Sequence, residues 1–526
     1  MAKRTSLLKT SQPHPTTIMD LDADTLIHCA SFLELPDVSR MSMTSKSFKE
    51  AAYSEPIWRS LFKQRFPNVE CSERLGWREA CAERCISLLQ MKYSGSSVAF
   101  SFYGEQPINH ILLDKNAVIT SVGSSLHILE DPYGSEDNIP VTQNDHRADI
   151  TCMRLFPHKE IFPGETITKD NILITSSADR TIRMWKKGLP IGCFFGQSPV
   201  SALSDRLLGD SDGRLLASGG ADGNIHLWSL NSLQNSNLVP LKSTFWGHWG
   251  AVKLISTLGN KSFLVSVSGA FEMRLWDAAI TGYSSCVGLR TLPAEPVGLK
   301  CDESLICTVA GSSFMAIDSR SMQRAFTGET GEPNVYSFQA LLSKSLVCIG
   351  GTNKALLWDI RRMQQQQQGA QIKSVAVINS INGPAQFLHM DLYRIVVAGP
   401  EDPYIHVCDT ETGRLTNIMK CRTVTPGGFS GMAVNGYRIA AALSDIGVVH
   451  LRDFTNADTP FPPNTVGFEY DVWDEWSDEE GLDGNLDDQD LWDQWSDEED
   501  LDGNLDDRDE LLDEWDQRFD EEDLDG

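Results

Sequence analysis

The sequence predicts a mixed fold in three parts: a small all-α module, a large all-β repeat array and an acidic tail. In the first 92 residues, apolar residues recur every three or four positions, as on one face of a helix. Between residues 93 and 454, short runs rich in Val, Ile and Leu alternate with Gly, Ser and Asp, which is typical of strands joined by turns. The remaining residues are dominated by Asp and Glu.

The formal net charge of −28 belongs mostly to one end of the chain. Residues 469–526 contain 29 acidic and two basic side chains, so the residues before them are close to neutral. A near-neutral body lacks the broad basic surface that binds phosphate backbones, and we expect no direct nucleic-acid partner. The 12 cysteines form no Cys-x-x-Cys pair, which disfavours a zinc site and indicates a reducing compartment.

The composition also predicts location and domain boundaries. The sequence shows neither a secretory signal nor an apolar run of about 20 residues, so we expect a protein of the cytoplasm, the nucleus or both, with no membrane partner. The expected parts are a disordered N-terminus (1–17), a helical module (18–66), a helical connector (67–92), the repeat array (93–454), a Pro-rich linker (455–468) and a disordered acidic repeat tail (469–526).

Four short helices are predicted in the module. Pro36 is expected to end the first helix and Asp37 to cap the second. Ser45 is suited to begin the third helix, and Pro56 suits the first turn of the fourth. Helices this short bury little surface, so the module is expected to be completed by a partner.

A longer helix is expected in the connector, from Leu75 to Gln90. Its predicted apolar face consists of Trp77, Cys81, Ala82, Cys85, Leu88 and Leu89. The side chains expected to face water are Arg78, Glu79, Glu83 and Arg84. A flexible tether would be richer in Gly, Ser and Pro, so we interpret this helix as a rigid connection.

The module resembles an F-box. Its matches to that family's pattern are Leu21, Asp24, Leu26, Phe32, Leu33, Asp37, Ser45, Lys46 and Trp58. It departs from the pattern in the first helix, at Asp22, Thr25, Cys29 and Ala30. The resemblance implies that the module binds a Skp-type adaptor, through Leu21, Leu26, Phe32, Leu33, Val38 and Met41.

The β region repeats at a pitch of 41 to 56 residues. Each unit contains a strand that ends in an apolar residue followed by a polar or charged residue. The second residue of each pair lies at Glu130, Lys186, Ser229, Asp277, Asp318, Asp359, Asp409 and Asp453. Repeats at this spacing are typical of a β-propeller. Eight units predict eight blades, with seven as the alternative.

These units resemble WD40 repeats. The structural residues of that family are matched at His146, Asp179, Trp185, Asp222, Trp228, His248, Trp276, Asp277, Trp358 and Asp359. The resemblance implies a buried network of His, Ser or Thr, Asp and Trp that joins the strands of a blade. We expect one complete example, made by His146, Asp179 and Trp185 with the hydroxyl of Ser176 or Ser177.

The sequence contains no recognisable catalytic motif: no Gly-x-Ser-x-Gly, no phosphate-binding Gly-Lys-Ser/Thr loop and no His-Glu-x-x-His. We therefore expect a role in recognition, with no catalysis, metal or cofactor. Candidate contacts for a client occupy the first polar position of the innermost strands, at Thr151, Lys253, Tyr336 and Gln386. The eight such positions hold one lysine and no arginine, which argues against a phosphate-reading pocket.

The tail repeats a unit of nineteen residues, VWDEWSDEEGLDGNLDDQD and then LWDQWSDEEDLDGNLDDRD. Its charge density argues against an autonomous core. Tryptophans among carboxylates suit a basic protein partner, and the alternative is a solvating tail without a specific partner. Ser477 and Ser496 each precede Asp-Glu-Glu and are candidate phosphorylation sites.

An F-box followed by a WD40 propeller resembles the substrate receptor of an SCF-type cullin-RING ubiquitin ligase. The resemblance implies a non-catalytic subunit whose F-box binds the Skp-type adaptor, and through it the cullin scaffold. The propeller would then bind a protein client, of unknown identity, for ubiquitination. The alternative is a scaffold outside ubiquitination, or an acidic-tail chaperone for basic proteins.

Overall fold

A computed structural model describes the chain from residue 21 to residue 454. Within that range the description leaves out residues 34, 67–75, 94–96, 103–105, 116, 131, 133–139, 163–169, 210–213, 234–238, 260–261, 281–284, 366–373, 380, 421–426 and 445–446. The predictions for the N-terminal segment, the linker, the acidic tail, Ser477 and Ser496 concern residues outside the described part.

Five helices precede the β region: α1 (Ala23–Ala30), α2 (Leu35–Ser42), α3 (Lys46–Ala52), α4 (Glu55–Arg65) and α5 (Trp77–Tyr93). The prediction for Ser45 is confirmed, because its hydroxyl accepts a hydrogen bond from the Phe48 backbone N–H at 3.3 Å and caps α3. The prediction for Pro36 and Asp37 is wrong. Both lie in the first turn of α2, where the missing N–H of proline costs no helical hydrogen bond.

The first four helices share a small core. The residues of α4 that point into it are at most 2% exposed: Ile57, Trp58, Leu61 and Phe62. The Trp58 indole N–H donates to the Ala52 carbonyl at 2.9 Å, so burial leaves its polar atom satisfied. Phe62 meets the ring of Trp77 edge to face, with centroids 5.6 Å apart, and this contact extends the core to α5.

The β region forms eight four-stranded antiparallel sheets, the blades of a propeller. Blade 1 contains β2 (His110–Asp114), β3 (Ala117–Val122), β4 (Ser125–Glu130) and β5 (Val141–Gln143). Blade 2 contains β6 (Ile150–Pro157), β7 (Asn171–Ser177), β8 (Thr181–Lys186) and β9 (Leu189–Phe195), and blade 3 contains β10 (Val200–Leu203), β11 (Leu215–Gly220), β12 (Ile225–Ser229) and β13 (Leu241–Phe245). Blade 4 contains β14 (Val252–Thr257), β15 (Phe263–Ser268), β16 (Glu272–Asp277) and β17 (Cys286–Thr291).

The second half of the ring repeats this arrangement. Blade 5 contains β18 (Pro296–Cys301), β19 (Leu305–Ala310), β20 (Ser313–Asp318) and β21 (Arg324–Glu329), and blade 6 contains β22 (Ser337–Leu341), β23 (Leu346–Gly350), β24 (Ala355–Asp359) and β25 (Ala376–Ile378). Blade 7 contains β26 (Phe387–Met390), β27 (Arg394–Ala398), β28 (Tyr404–Asp409) and β29 (Leu415–Lys420). Blade 8 contains β30 (Phe429–Asn435), β31 (Arg438–Leu443), β32 (Val448–Asp453) and, from the front of the chain, β1 (Ser97–Phe102). Two short helices lie in connections, α6 (His158–Ile161) and α7 (Ile360–Gln365).

The ring is closed by strands that are distant in sequence. β1 pairs with β32 as the outermost strand of blade 8, so the first and last strands of the array hold each other. The innermost strands contact one another from blade to blade around the channel. Eight blades are therefore confirmed over the seven-bladed alternative. We call the end where the innermost strands begin the upper face, and the end where they finish the lower face.

The tryptophans of the repeats lie in the core between blades. Phe194, at the end of blade 2, stacks on Trp228 of blade 3 with ring centroids 5.2 Å apart. Phe245, at the end of blade 3, stacks on Trp276 of blade 4 at 5.3 Å. Offset aromatic pairs contribute about 0.5–1.5 kcal/mol beyond the area that they bury. The repeating tryptophan thus stabilises the joint between successive blades.

The helices are fixed to the lower face at blades 7 and 8. The Tyr393 hydroxyl donates to the carbonyl of Arg65, the last residue of α4, at 3.0 Å. Near the end of α5, Lys92 Nζ lies 2.7 Å from Asp409 Oδ2 in blade 7. These contacts attach the end of α4 and the end of α5 to blade 7.

Arg394 lies at the centre of this seam. Its side chain is 2% exposed, and Nε lies 2.9 Å from Asp391 Oδ2. The guanidinium also donates to the Gly436 carbonyl and contacts the sulfur of Met91 in α5. The charge is therefore paired and hydrogen-bonded, as a buried arginine requires.

The expectation that Arg84 faces water is wrong. It is half-buried, and its guanidinium lies over the ring of Tyr437 at 4.6 Å from the centroid. Burial is the main cause of a lowered Arg84 pKa. The helical period placed this side chain opposite the apolar stripe, but the propeller packs against that second face too.

Candidate functional site

A complete network joins the strands of blade 2 near the upper face. The Trp185 indole N–H donates to Thr175 Oγ1 at 2.9 Å, and this hydroxyl lies 2.8 Å from His146 Nε2. The other ring nitrogen of His146 lies 3.1 Å from Asp179 Oδ2. The predicted hydroxyl is wrong: the network uses Thr175, neither Ser176 nor Ser177.

Strand register explains this correction. Trp185 pairs with Leu173, so the indole reaches a residue two positions along β7, on the same face of the sheet. Ser177 lies on that face as well, but its hydroxyl donates to the Ala148 carbonyl at 2.7 Å. Thr175 is thus the hydroxyl within reach of both the indole and the imidazole.

The electrostatics keep this network in one protonation state. Burial lowers the pKa of His146, although the nearby Asp179 carboxylate acts in the opposite direction. Burial alone would raise the pKa of Asp179, but hydrogen bonds from Thr181 and from the Arg147 backbone outweigh it and lower that pKa to about 2. At neutral pH the imidazole is neutral and the carboxylate is charged.

Blade 4 contains a second network that the sequence did not predict. Ser266 Oγ accepts the Trp276 indole N–H at 2.7 Å and lies 2.6 Å from His248 Nε2. The turn position that holds aspartate in blade 2 is Ala270, and Glu272 Oε2 lies instead 3.4 Å from His248 Nδ1. Burial, with a smaller contribution from the Arg274 charge, lowers the pKa of His248 to about 3.

The remaining predicted structural residues occupy reduced versions of this arrangement. In blade 3 the Trp228 N–H donates to Ser218 Oγ at 2.7 Å. In blade 6, within the described residues, the Trp358 N–H has no hydrogen-bond partner, since Ile349 replaces the hydroxyl residue. The aspartates accept backbone hydrogen bonds within turns: Asp222 from Asn224, Asp277 from Ala279 and Asp359 from Arg361.

The four predicted client contacts all lie at the upper end of the channel, but they are not equivalent. Tyr336 is 37% exposed and Gln386 is also exposed. The Lys253 side chain is 50% exposed and its Nζ lies 3.4 Å from Glu295 Oε1. Thr151 is half-buried and donates to the next blade, so its hydroxyl is already engaged.

Sequence reasoning missed an aromatic patch on the same face. We define this aromatic patch as Trp246, Trp249 and Phe271, which are 41%, 87% and 40% exposed. The two tryptophans lie in the loop from blade 3 to blade 4, and Phe271 lies in the turn between β15 and β16. The loop and the turn lie against each other at Gly250 and Ala270. A Cβ atom added to Gly250 would lie only 3.0 Å from the backbone nitrogen of Ala270.

The backbone at Phe271 is unusual for an aromatic residue. Its φ is 64°, in the left-handed region, and the equivalent turn positions hold Arg180 with φ 72° and Gly223 with φ 82°. A bulky residue in this conformation costs about 1–3 kcal/mol, and such strain concentrates at functional sites. The available signal was Trp-Gly-His-Trp at 246–249, of which only His248 was interpreted, as a structural residue of the repeat.

Among the described residues, no group of three or more His, Cys, Asp or Glu side chains could hold a metal ion. In the same part of the chain, every helix is too short or too polar to cross a membrane. Exposed clusters of large apolar side chains mark protein-binding surfaces, and tryptophan is among the residues enriched in their hot spots.

Comparison with known proteins agrees with this architecture. The family model of the WD40 repeat, described as WD domain, G-beta repeat, matches residues 139–186 and 188–229, which include most of blades 2 and 3. An Arabidopsis thaliana protein described as F-box/WD-40 repeat-containing is 28% identical over 210 residues. That match spans 36% of this chain and 36% of the relative, little more than a third of its length.

Two solved structures share the propeller fold. A computationally designed protein, Ika8, gives a TM-score of 0.52 at 16% identity, over 67% of this chain and 98% of its own. Chaetomium thermophilum Sqt1, solved bound to the N-terminus of the ribosomal protein L10, gives 0.54 at 15% identity, over 68% of this chain and 100% of its own. At these identities the likeness concerns the fold alone. The chain thus contains WD40 repeats, matched by the family model at residues 139–186 and 188–229, and its β region folds as an eight-bladed propeller.

Proposed function

We propose that this chain is the substrate-recognition subunit of an SCF-type ubiquitin ligase, and that it works in the cytoplasm, the nucleus or both. In this proposal α1 to α4 bind a Skp-type adaptor that connects to a cullin. The upper face of the propeller binds the protein client. The observation that carries the proposal is the exposure of large apolar side chains in two places, on the helices and on the upper face.

The helical surface supports the adaptor part of the proposal. Leu21, Phe32 and Met43 are 41%, 77% and 66% exposed, which is unusual for large apolar side chains on so small a module. Leu26 and Val38 are at most 5% exposed, so these two predicted contacts contribute to the core of the module. Leu33 and Met41 are half-buried at its surface.

The adaptor test uses the exposed residues and leaves the core intact. Phe32→Asp with Met43→Asp in the full chain is expected to weaken binding of a purified Skp-type adaptor by at least about thirtyfold, since buried hot-spot residues are each worth about 2 kcal/mol or more. The matched control, Gln64→Asp, places the same charge on an exposed position of α4. Equal adaptor affinity for all three proteins would contradict the proposal.

The client test uses the aromatic patch. Proteins captured by the full chain are compared with those captured by Trp249→Ala, and by Val239→Ala as a control. Val239 is 73% exposed. It precedes β13, the outer strand of blade 3, at the lower face, whereas Trp249 follows the same strand at the upper face. Clients should be lost with Trp249→Ala and retained with Val239→Ala. Capture that is unchanged in both variants would contradict binding at the upper face.

A second candidate function is a chaperone for basic proteins. It is favoured by the 29 acidic residues of the tail, and the Sqt1 structure is an example of a similar propeller bound to part of a ribosomal protein. Deletion of 469–526 separates the two functions. Loss of basic clients upon this deletion, together with adaptor binding that is absent in the intact chain, would favour the chaperone.

A further inference from the structure

We propose that the lower mouth of the propeller channel, where it meets the helices, binds a small free polyphosphorylated anion. This site lies on the opposite face from the aromatic patch and does not depend on the proposed ligase function. The juxtaposition that carries it is a cavity where helices and blades together contribute more cations than carboxylates: Arg65, Arg84, Arg206, Lys300 and Arg394 against Asp302 and Asp391.

The cavity has a volume of about 620 Å³. Its walls are the lower ends of blades 3, 5, 6, 7 and 8 together with residues from the end of α4 and from α5. Cavities of about 300–1,000 Å³ accommodate small molecules, whereas an extended peptide needs a longer groove. The site thus fits a compact ligand.

The lining of the cavity carries a net positive charge, because Asp302 and Asp391 offset only part of its cations. Arg84 and Arg206 line it, and neither has a carboxylate within 4.0 Å among the described residues. Lys300, at the end of the innermost strand of blade 5, lies 3.9 Å from Asp205, the limit of an ion pair.

Arg394 and Asp391 also line the cavity, but they form an ion pair with each other. Their atoms lie 2.9 Å apart, and the arginine side chain is 2% exposed. With Arg394 paired to Asp391, the lining still contains four cations and one carboxylate: Arg65, Arg84, Arg206 and Lys300 against Asp302.

Phosphate is the anion that best matches these donors. A guanidinium presents parallel N–H groups that bind two phosphate oxygens, and a lysine adds a point charge. Partial burial of Arg84 reduces screening by water and strengthens attraction to a multivalent anion. A ligand with two or three phosphate groups could contact cations on both α5 and the blades, and it would tie the helical module to the propeller.

Isothermal titration of inorganic tripolyphosphate into the full chain, at constant ionic strength, tests this site. We expect saturable binding with one ligand per chain and a raised melting temperature. Arg206→Met and Arg84→Met should each weaken binding about tenfold, the loss of one charged contact. Arg206 is exposed, so its variant should keep the fold even if Arg84→Met does not.

The controls distinguish the cavity from general attraction of anions. Lys253→Met removes a lysine from the upper face and should leave tripolyphosphate binding unchanged. Absence of saturable binding, or equal weakening by all three variants, would overturn the proposal. Flotation of the protein with vesicles that contain a phosphorylated inositol lipid, without binding of tripolyphosphate, would assign the charge to a membrane headgroup and would overturn the free-anion site.

Discussion

The upper and lower faces of the propeller use similar side chains for different purposes. On the lower face, the aromatic and cationic residues Tyr393 and Arg394 are covered by helices and engaged in contacts within the chain. On the upper face, Trp249 and Phe271 remain exposed, and Phe271 occupies a strained backbone position. The lower face uses these side chains for contacts within the chain, whereas the upper face leaves large apolar side chains exposed.

This difference shows that exposure, more than residue type, marks the site. Trp185, Trp228 and Trp276 are at most 3% exposed and hold blades together. Trp249 lies in the loop that joins blade 3 to blade 4, the blade that contains Trp276, but it is 87% exposed. Variants that remove equivalent groups from the two faces should therefore separate stability from binding.

The largest effect on stability is expected at the lower seam. Arg394→Ala removes a buried guanidinium with its contacts to Asp391, Gly436 and Met91. It should lower the free energy of unfolding by about 3–5 kcal/mol, the effect typical of truncating a large buried side chain or removing one member of a buried ion pair. Urea denaturation of the full chain, followed by tryptophan fluorescence, measures this change. Arg206→Ala, at an exposed lower-face position, should change it by less than about 0.5 kcal/mol. A similar small change for Arg394→Ala would contradict the structural role of the seam.

The next effect is a pH dependence at the upper face. The pKa of His248 is about 3 in the folded protein, below its unfolded value of about 6.5. The folded protein is therefore most stable, with respect to this group, above pH 6.5, and it loses stability as the pH falls towards 3. The loss should be about 2 kcal/mol between pH 6.5 and pH 5. Melting temperatures across this range measure it, and His248→Asn should flatten the profile. An unchanged slope in that variant would assign the pH dependence to other groups.

A smaller difference is expected between two buried tryptophans. Trp185→Phe removes a hydrogen bond to Thr175, whereas Trp358→Phe removes an indole N–H that has no partner among the described residues. The first variant should therefore cost about 1 kcal/mol more than the second. Denaturant midpoints of the two variants measure this difference. Equal costs would mean that the blade 2 network contributes no more than the packing of the ring.

The smallest change in stability is expected within the aromatic patch. Phe271→Gly relieves the left-handed strain and should leave the protein unchanged or about 1 kcal/mol more stable, while client capture falls. Arg180→Gly, at the equivalent turn of blade 2, is the matched control and should retain client capture. A destabilised Phe271→Gly variant would show that this side chain supports the fold, and would remove the argument from strain.

The blade count was predictable because it depends on local strand pairs that recur along the chain. The strand-ending pairs predicted from Glu130 to Asp453 end the third strand of each of the eight blades. The hydroxyl of Thr175 was not predictable with the same accuracy, because a shift of one residue in strand register turns a side chain to the other face. Ser176 and Ser177 fit the spacing equally well in the sequence.

The lower seam and the aromatic patch could not be predicted for a different reason. Arg65 and Tyr393 are separated by more than three hundred residues and meet only through closure of the ring. Trp249 looks like any core tryptophan in the sequence, since nothing local indicates its 87% exposure. Prediction of the strain at Phe271 would require knowledge of the turn conformation. The sequence indicates a left-handed residue at this turn position only in blade 3, where the position is Gly223.

Ubiquitination of a client in a reconstituted ligase tests the central claim most directly, because it requires both exposed surfaces of one chain. The assay uses a purified client whose capture depends on Trp249, with adaptor, cullin and conjugating enzyme added. The account predicts modification with the wild-type chain, Gln64→Asp and Val239→Ala, and little or none with Phe32→Asp/Met43→Asp or Trp249→Ala. Modification that persists when either surface is removed would contradict it.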